Sequence, residues 1–213
     1  MIEKLNNLFD KIYVISFKGS KRLESLPDRL KGLEYEIFYG CDKKDLNLDK
    51  LHEEGYGKLW RKDQFTLQQY ACAFSHYYLY KKIKEEELKN VLILEDDIVF
   101  KPEYLDGMIK DYNDLPDDWD LFYIGLITQR DYNKNYKNMH KGARVKMGNP
   151  GLFGFEANAY VINNNFLDIM LSTQDNIETF CPIADAAIWN LYYKMEYYIT
   201  NNQILPQHKN LER

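Results

Sequence analysis

Glu95, Asp96 and Asp97 stand in a row directly after the apolar run Val91-Leu92-Ile93-Leu94. Three consecutive carboxylates repel one another and are costly to take out of water, so a positive partner is expected among them. A hard divalent ion, Mn²⁺ or Mg²⁺, suits such a set. It prefers carboxylate oxygens and water, binds through one or two carboxylates together with substrate phosphates, and neutralises a departing diphosphate. The plain alternative is a solvated acidic turn leading into the helix start at Pro102 and Glu103, where proline fits the first turn and the helix dipole favours an acid. Lys21 and Arg22 follow the turn Lys18-Gly19-Ser20. Arg22 is either an ordinary surface cation or a partner for a nucleotide diphosphate. Asp185 is a lone acid among Ile183, Ala184, Ala186 and Ala187. It reads either as a general base or as the cap of a helix that starts after Pro182.

These side chains need elements to hold them. Residues 91–94 are too few and too uniformly apolar for a helix and read as a strand buried on both faces. Residues 12–17, 35–39, 121–124 and 159–162 are further short β-rich runs, the second and third ended by Gly40 and Gly125. Residues 20–31 read as helical with an interruption at Pro27. Thr66 with Gln69 makes a capping box, and Leu67, Ala71, Phe74 and Tyr78 continue at helical spacing, which predicts a helix to about Glu86. Residues 166–171 and 183–193 are two more expected helices, and residues 126–155, polar and rich in Asn, Lys and Gly, an expected loop over a site. Strands alternating with helices imply an α/β fold with a largely parallel sheet. Ligands of such sheets bind beyond the carboxyl ends of the strands, where the acidic triplet and the Lys18-Gly19-Ser20 turn both fall. On the helix that starts at Thr66, Ser75 and His76 read as structural or supporting residues and Cys72 as core packing. Asp120 reads as strand-end structure or an acceptor contact, and with Glu156 it is a substitute for Asp185 as base.

A length of 213 residues suits one domain, 1–213. With 45% hydrophobic and 29% charged residues the chain is globular in composition, which argues against a disordered protein. A net charge of -5, with no segment dominated by Lys and Arg, argues against a nucleic-acid partner. Cys41, Cys72 and Cys181 are far apart, without the close pairs of a zinc site or a disulfide framework. Residues 1–10 lack the apolar core of a signal peptide, and no stretch reaches the roughly 20 apolar residues of a membrane span. A cytoplasmic protein without an integral membrane segment is expected.

Segments along nearly the whole chain resemble, in order, those of glycosyltransferase family 25, which includes bacterial lipopolysaccharide galactosyltransferases and procollagen galactosyltransferases. Val14-Ile15-Ser16-Phe17 with Lys21-Arg22 resembles the family's Ile-Asn-Leu strand and its downstream Arg, and Ala71-Cys72-Ala73-Phe74-Ser75-His76 is similar to its Gly-Cys-x-x-Ser-His motif. Leu94-Glu95-Asp96-Asp97 matches its Leu-Glu-Asp-Asp signature. Trp119-Asp120-Leu121-Phe122-Tyr123-Ile124-Gly125, Ala159-Tyr160-Val161-Ile162, Pro182-Ile183-Ala184-Asp185 and Pro206-Gln207-His208 resemble its later segments. The resemblance implies a GT-A-like nucleotide-sugar-binding fold, with a central, largely parallel (mixed) sheet flanked by helices. It also implies a UDP-sugar donor, Mn²⁺ or Mg²⁺, and an inverting single displacement. Carried onto this chain, it gives Asp97, Glu95 and His208 as metal ligands. Ser16, Lys21, Arg22, Glu95 and Asp96 become donor contacts, and Asp185 the base. The expected reaction moves a hexose, galactose or glucose, to a hydroxyl of a glycan or a hydroxylated protein. The alternatives are a catalytically silent UDP-sugar-binding module and a metal-dependent phosphoryl-transfer enzyme. The latter usually carries its acidic motif after the first strand, and no Gly-rich phosphate loop precedes the motif here.

Overall fold

Every side chain from Val91 to Leu94 is fully buried, as a strand covered on both faces requires. This strand, β3 (Val91–Glu95), lies near the middle of a six-stranded sheet in the computed structural model, which describes residues 2–60, 65–125 and 157–200. The other strands are β1 (Lys11–Ser16), β2 (Glu36–Tyr39), β4 (Leu121–Tyr123), β5 (Ala159–Ile162) and β6 (Tyr197–Ile199). Their order across the sheet is β2-β1-β3-β5-β4-β6.

Successive side chains on a strand point to opposite faces, and the sheet sorts them into two cores. Tyr13, Ile15, Val91, Ile93, Tyr160 and Ile162 face one side, where they pack with Leu79, Tyr80, Ile83, Phe166, Met170 and Ile188. Those partners come from α4 (Leu67–Glu85), α6 (Asn164–Gln174) and α7 (Ala184–Trp189). Ile12, Val14, Leu92, Leu94, Phe122 and Val161 face the other side, against Leu5, Leu26, Leu105 and Met108. These belong to α1 (Glu3–Asn6), α2 (Arg22–Arg29) and α5 (Leu105–Asn113). The result is three layers, helices over both faces of one sheet.

The expected capping box forms. The Gln69 amide donates to Thr66 Oγ1 at 3.3 Å and the Thr66 amide to Gln69 Oε1 at 2.9 Å, so the start of α4 is fixed at Leu67. Asn163 does the same for α6, accepting from the amides of Asn165 and Phe166. The expected helix over residues 183–193 is shorter: α7 ends at Trp189, and a separate 3-10 turn follows at Tyr192–Lys194. Pro102 opens a 3-10 turn, Pro102–Tyr104, ahead of α5. Elements that go beyond the sequence expectation are α1, β6, α3 (Leu48–Glu54) and a 3-10 turn at Lys43–Asp45. The expected loop over residues 126–155 lies outside the described residues.

The sheet is mixed. β1 pairs in parallel with β2 and β3, and β4 with β6, whereas β5 runs antiparallel to both β3 and β4. This reversal brings the beginning of β5, rather than its end, to the edge where β3 finishes. There the Glu95 amide donates to the Asn158 carbonyl at 2.8 Å. Among the described residues no helix is long and apolar enough to cross a membrane.

Candidate active site

β1 and β3 are parallel neighbours with Ile15 opposite Glu95, so the turn after β1 and the acidic triplet after β3 emerge side by side. The three acids then part company. Asp96 turns inward: it accepts from Ser16 Oγ at 2.6 Å, Ser20 Oγ at 2.9 Å and Arg22 Nη1 at 2.8 Å. Asp97, equally buried, has a carboxylate oxygen 3.2 Å from the same Arg22 nitrogen. The positive partner expected among the carboxylates is thus present within the chain. Burial works against the Arg22 charge, but the hydrogen bond to Asp96 and the fields of Asp97, Asp96 and Glu95 outweigh it and raise its pKa. Arg29 supports the same turn from behind, donating to the main-chain carbonyls of Asp96 and Ile98.

Glu95 faces the other way, into open space. Its Oε1 lies 3.5 Å from Cys72 Sγ and 3.3 Å from His76 Nε2, both on α4. His76 is 2% exposed, and its Nδ1 meets Tyr160 Oη at 2.7 Å, which in turn meets Tyr80 Oη at 2.7 Å. The half-buried Cys72 packs against the core, as its neighbours suggested, and is also a wall of the cleft. Burial, reinforced by Glu95, pushes its thiol pKa well up.

What holds α4 so near the strand ends is a close approach at Gly40. A Cβ at this position would lie 2.2 Å from Ser75 Oγ. Ser75 Oγ accepts from the Cys41 amide at 2.9 Å and donates to the Ala71 carbonyl at 2.6 Å, which pins the helix to the end of β2. Gly40→Ala is expected to force these elements apart at a cost of about 1–3 kcal/mol, the usual range for overpacking. Urea unfolding measures it, and an unchanged midpoint would mean that the Ser75 contact is easily displaced.

Two cavities adjoin at this point. The smaller, about 200 Å³, is lined by Ser16, Lys21, Arg22 and Asp96 with Ile15, Phe17, Ala71 and Lys43 among others. The larger, about 670 Å³, is lined by Asp185, Ala157, Asn158, Thr66 and Gln69 among others. Gln68, Cys72 and Glu95 line both. The expected donor contacts thus gather around one cavity, while Asp185 looks into the other. Asp185 lies in the first turn of α7 but does not cap it: Ile183 is the cap position, without a side-chain bond, and the Asp185 carboxylate accepts from the Ala157 amide instead. Asp120 is not a substitute base. It lies at the start of β4, on the opposite edge of the sheet, 2% exposed, with its oxygens taken by Asn165 Nδ2 and the Glu196 amide, each at 2.8 Å. Burial raises its pKa. His208 and Glu156 lie outside the described residues.

Residues 9–185 match the family model described as Glycosyltransferase family 25 (LPS biosynthesis protein). The chain belongs to glycosyltransferase family 25. A family 25 member from Drosophila pseudoobscura pseudoobscura is 31% identical over 135 residues, covering 58% of this chain and 21% of its own length. Procollagen galactosyltransferase 2 of Homo sapiens is 29% identical over 129 residues, covering 55% of this chain and 21% of its own length. The chain thus matches about a fifth of the length of these relatives. In fold, it is similar to a glycosyltransferase involved in the glycosylation of the major capsid of PBCV-1. The TM-score is 0.50 at 8% identity, over 94% of this chain and 95% of that one. The mixed sheet flanked by helices is GT-A-like.

Proposed function

We propose that this family 25 chain is an inverting, metal-dependent glycosyltransferase that moves a hexose, galactose or glucose, from a UDP-sugar to a hydroxyl of a glycan or a hydroxylated protein. The observation that carries the reading is the pair of adjoining cavities that share Glu95. The smaller combines apolar walls (Ile15, Phe17, Ala71) with cations (Lys21, Arg22, Lys43), the mixture a nucleoside diphosphate needs. The larger is lined by hydroxyl, amide and carboxylate groups suited to sugar hydroxyls, with Asp185 among them. The names of the relatives support galactose as one donor sugar. The three cysteines are all free, which suits the reducing cytoplasm.

In this reading Lys21 and Arg22 face the diphosphate, and Asp185 takes the proton of the acceptor hydroxyl. The acceptor oxygen forms its bond to the anomeric carbon as the bond from that carbon to the diphosphate breaks, and UDP leaves. Mn²⁺ or Mg²⁺ would be held by Glu95, whose carboxylate opens to the cleft, together with His208 and with Asp97, which would exchange its Arg22 contact for the ion. When bound, such an ion withdraws charge from the leaving diphosphate.

The test is UDP release from UDP-galactose and UDP-glucose with Mn²⁺, with and without EDTA and a hydroxyl acceptor. Release from one donor that stops with EDTA is the expected outcome. UDP binding with no turnover, even to water, would instead indicate a silent sugar-nucleotide module, and inorganic phosphate as product would indicate phosphoryl transfer. Calorimetry of UDP should likewise give tighter binding with Mn²⁺ than without, and the difference should shrink in Asp97→Ala. Equal affinity with and without the ion would remove the metal from the mechanism.

A further inference from the structure

Cys72 and His76 are one helical turn apart on α4 and both address the same carboxylate oxygen, Glu95 Oε1. The sulfur, the imidazole nitrogen and the carboxylate oxygen all lie within 4.8 Å of one another, and among the described residues this is the group of three or more side chains so arranged. The spacing from the imidazole nitrogen to the oxygen, 3.3 Å, is long for a charge-assisted hydrogen bond, and that from sulfur to the same oxygen is 3.5 Å. Both spacings match edges of a different figure. A tetrahedral zinc ion with bonds of about 2.3 Å to sulfur and about 2.0 Å to nitrogen and oxygen separates S from O by about 3.5 Å and N from O by about 3.3 Å.

We propose that Cys72 Sγ, His76 Nε2 and Glu95 form a three-ligand site for a borderline divalent ion of the zinc class, with the fourth position open to the cleft. Thiolate and imidazole donors select zinc over Mg²⁺ or Mn²⁺, which prefer oxygen. Three protein ligands with an open position is the pattern of a zinc ion that meets exogenous molecules, whereas a closed structural site has four. The surroundings are ordered for ligation. If Nε2 holds the metal, Nδ1 carries the proton and donates to Tyr160 Oη, which donates onward to Tyr80 Oη, an outer shell of the kind that fixes a ligating histidine. Both tyrosines are buried, so the ring cannot easily turn away. On binding, the ion replaces the Cys72 thiol proton, which is released to solvent. The lone placement of each cysteine in the sequence hides this set, because the other donors are a histidine on the same helix and a glutamate at the end of β3. The inference goes beyond the transferase reading and does not depend on it. Because the site uses Glu95, zinc would occupy the carboxylate that the donor-bound ion needs.

Co²⁺, which takes zinc sites and reports thiolate ligation through an intense near-ultraviolet charge-transfer band, provides the test. Titrating the full chain with Co²⁺ alone should raise this band to saturation at one equivalent, and Zn²⁺ should abolish it by displacement. Cys72→Ser, which removes the thiolate but keeps the size of the side chain, should lose the band while keeping the circular dichroism and melting profile of the parent. Cys41→Ser and Cys181→Ser should retain it. No band in the parent protein, or a band that survives in Cys72→Ser, would overturn the proposal. Neither readout requires a nucleotide sugar, so failure of the transferase assay and failure of this site are distinguishable.

Discussion

Replacing Asp185 by asparagine is expected to lower the sugar-transfer rate by about 10²- to 10⁴-fold, the usual contribution of one general base. Asparagine keeps the shape of the side chain, and its carbonyl oxygen still accepts from the Ala157 amide, so the local fold should survive. The amide lacks basicity, so a hydroxyl acceptor would have to lose its proton to water. Binding of UDP with Mn²⁺ should be unaffected, because Asp185 lines the larger cavity and not the smaller one. The measurement is turnover alongside UDP affinity and melting temperature. A variant that folds, binds UDP normally and transfers at the parental rate would leave Asp185 as an anchor for Ala157 and move the base to another carboxylate, Glu156 being the next candidate.

Arg22→Ala is expected to act on stability. Asp96 and Asp97 are 6% and 5% exposed, and one Arg22 nitrogen serves both. Removing one partner of a buried ion pair leaves uncompensated charge and costs about 3–5 kcal/mol. In a chain of this size that corresponds to a melting temperature lower by roughly 6–20 °C. Arg22→Lys should recover part of the loss, since a single ammonium can approach both carboxylates while the remaining guanidinium donors are lost. A melting temperature for Arg22→Ala within about 2 °C of the parent, on the same conversion, would mean that other groups carry the two acids.

Five of the six strands were legible as short β-rich runs bounded by turn or charged residues. Val91 to Leu94, buried on both faces, had no polar alternation to confuse it with a surface strand. Direction was not legible: Ala159-Tyr160-Val161-Ile162 reads identically whether it runs with or against β3, and only the paired register shows the reversal. β6 was missed because its three residues lack the apolar run and closing glycine that marked the equally short β4. At the site, the triplet marked the right strand end but not the role of each acid. Which acid turns inward is decided by Ser16, Ser20 and Arg22, about 75 residues earlier in the chain. That Cys72 lines the cleft as well as packing on the core was missed for a related reason. α4 is buried on more than one side, by the core on its face of the sheet and by the aromatic cluster around Phe74 and Phe180, so its sequence lacks the polar face that would show which way a thiol points. The i to i+4 spacing of Cys72 and His76 was the available signal.

The wall between the two cavities has a thermodynamic consequence. Gln68, Cys72 and Glu95 belong to both, so an occupant of one chamber that changes the charge or rotamer of Glu95 changes the free energy of binding in the other. Such coupling is reciprocal: if the first molecule raises the affinity for the second by some factor, the second raises that for the first by the same factor. The order in which two ligands are added therefore cannot alter the total binding free energy, although it does decide which of the two single affinities is observed.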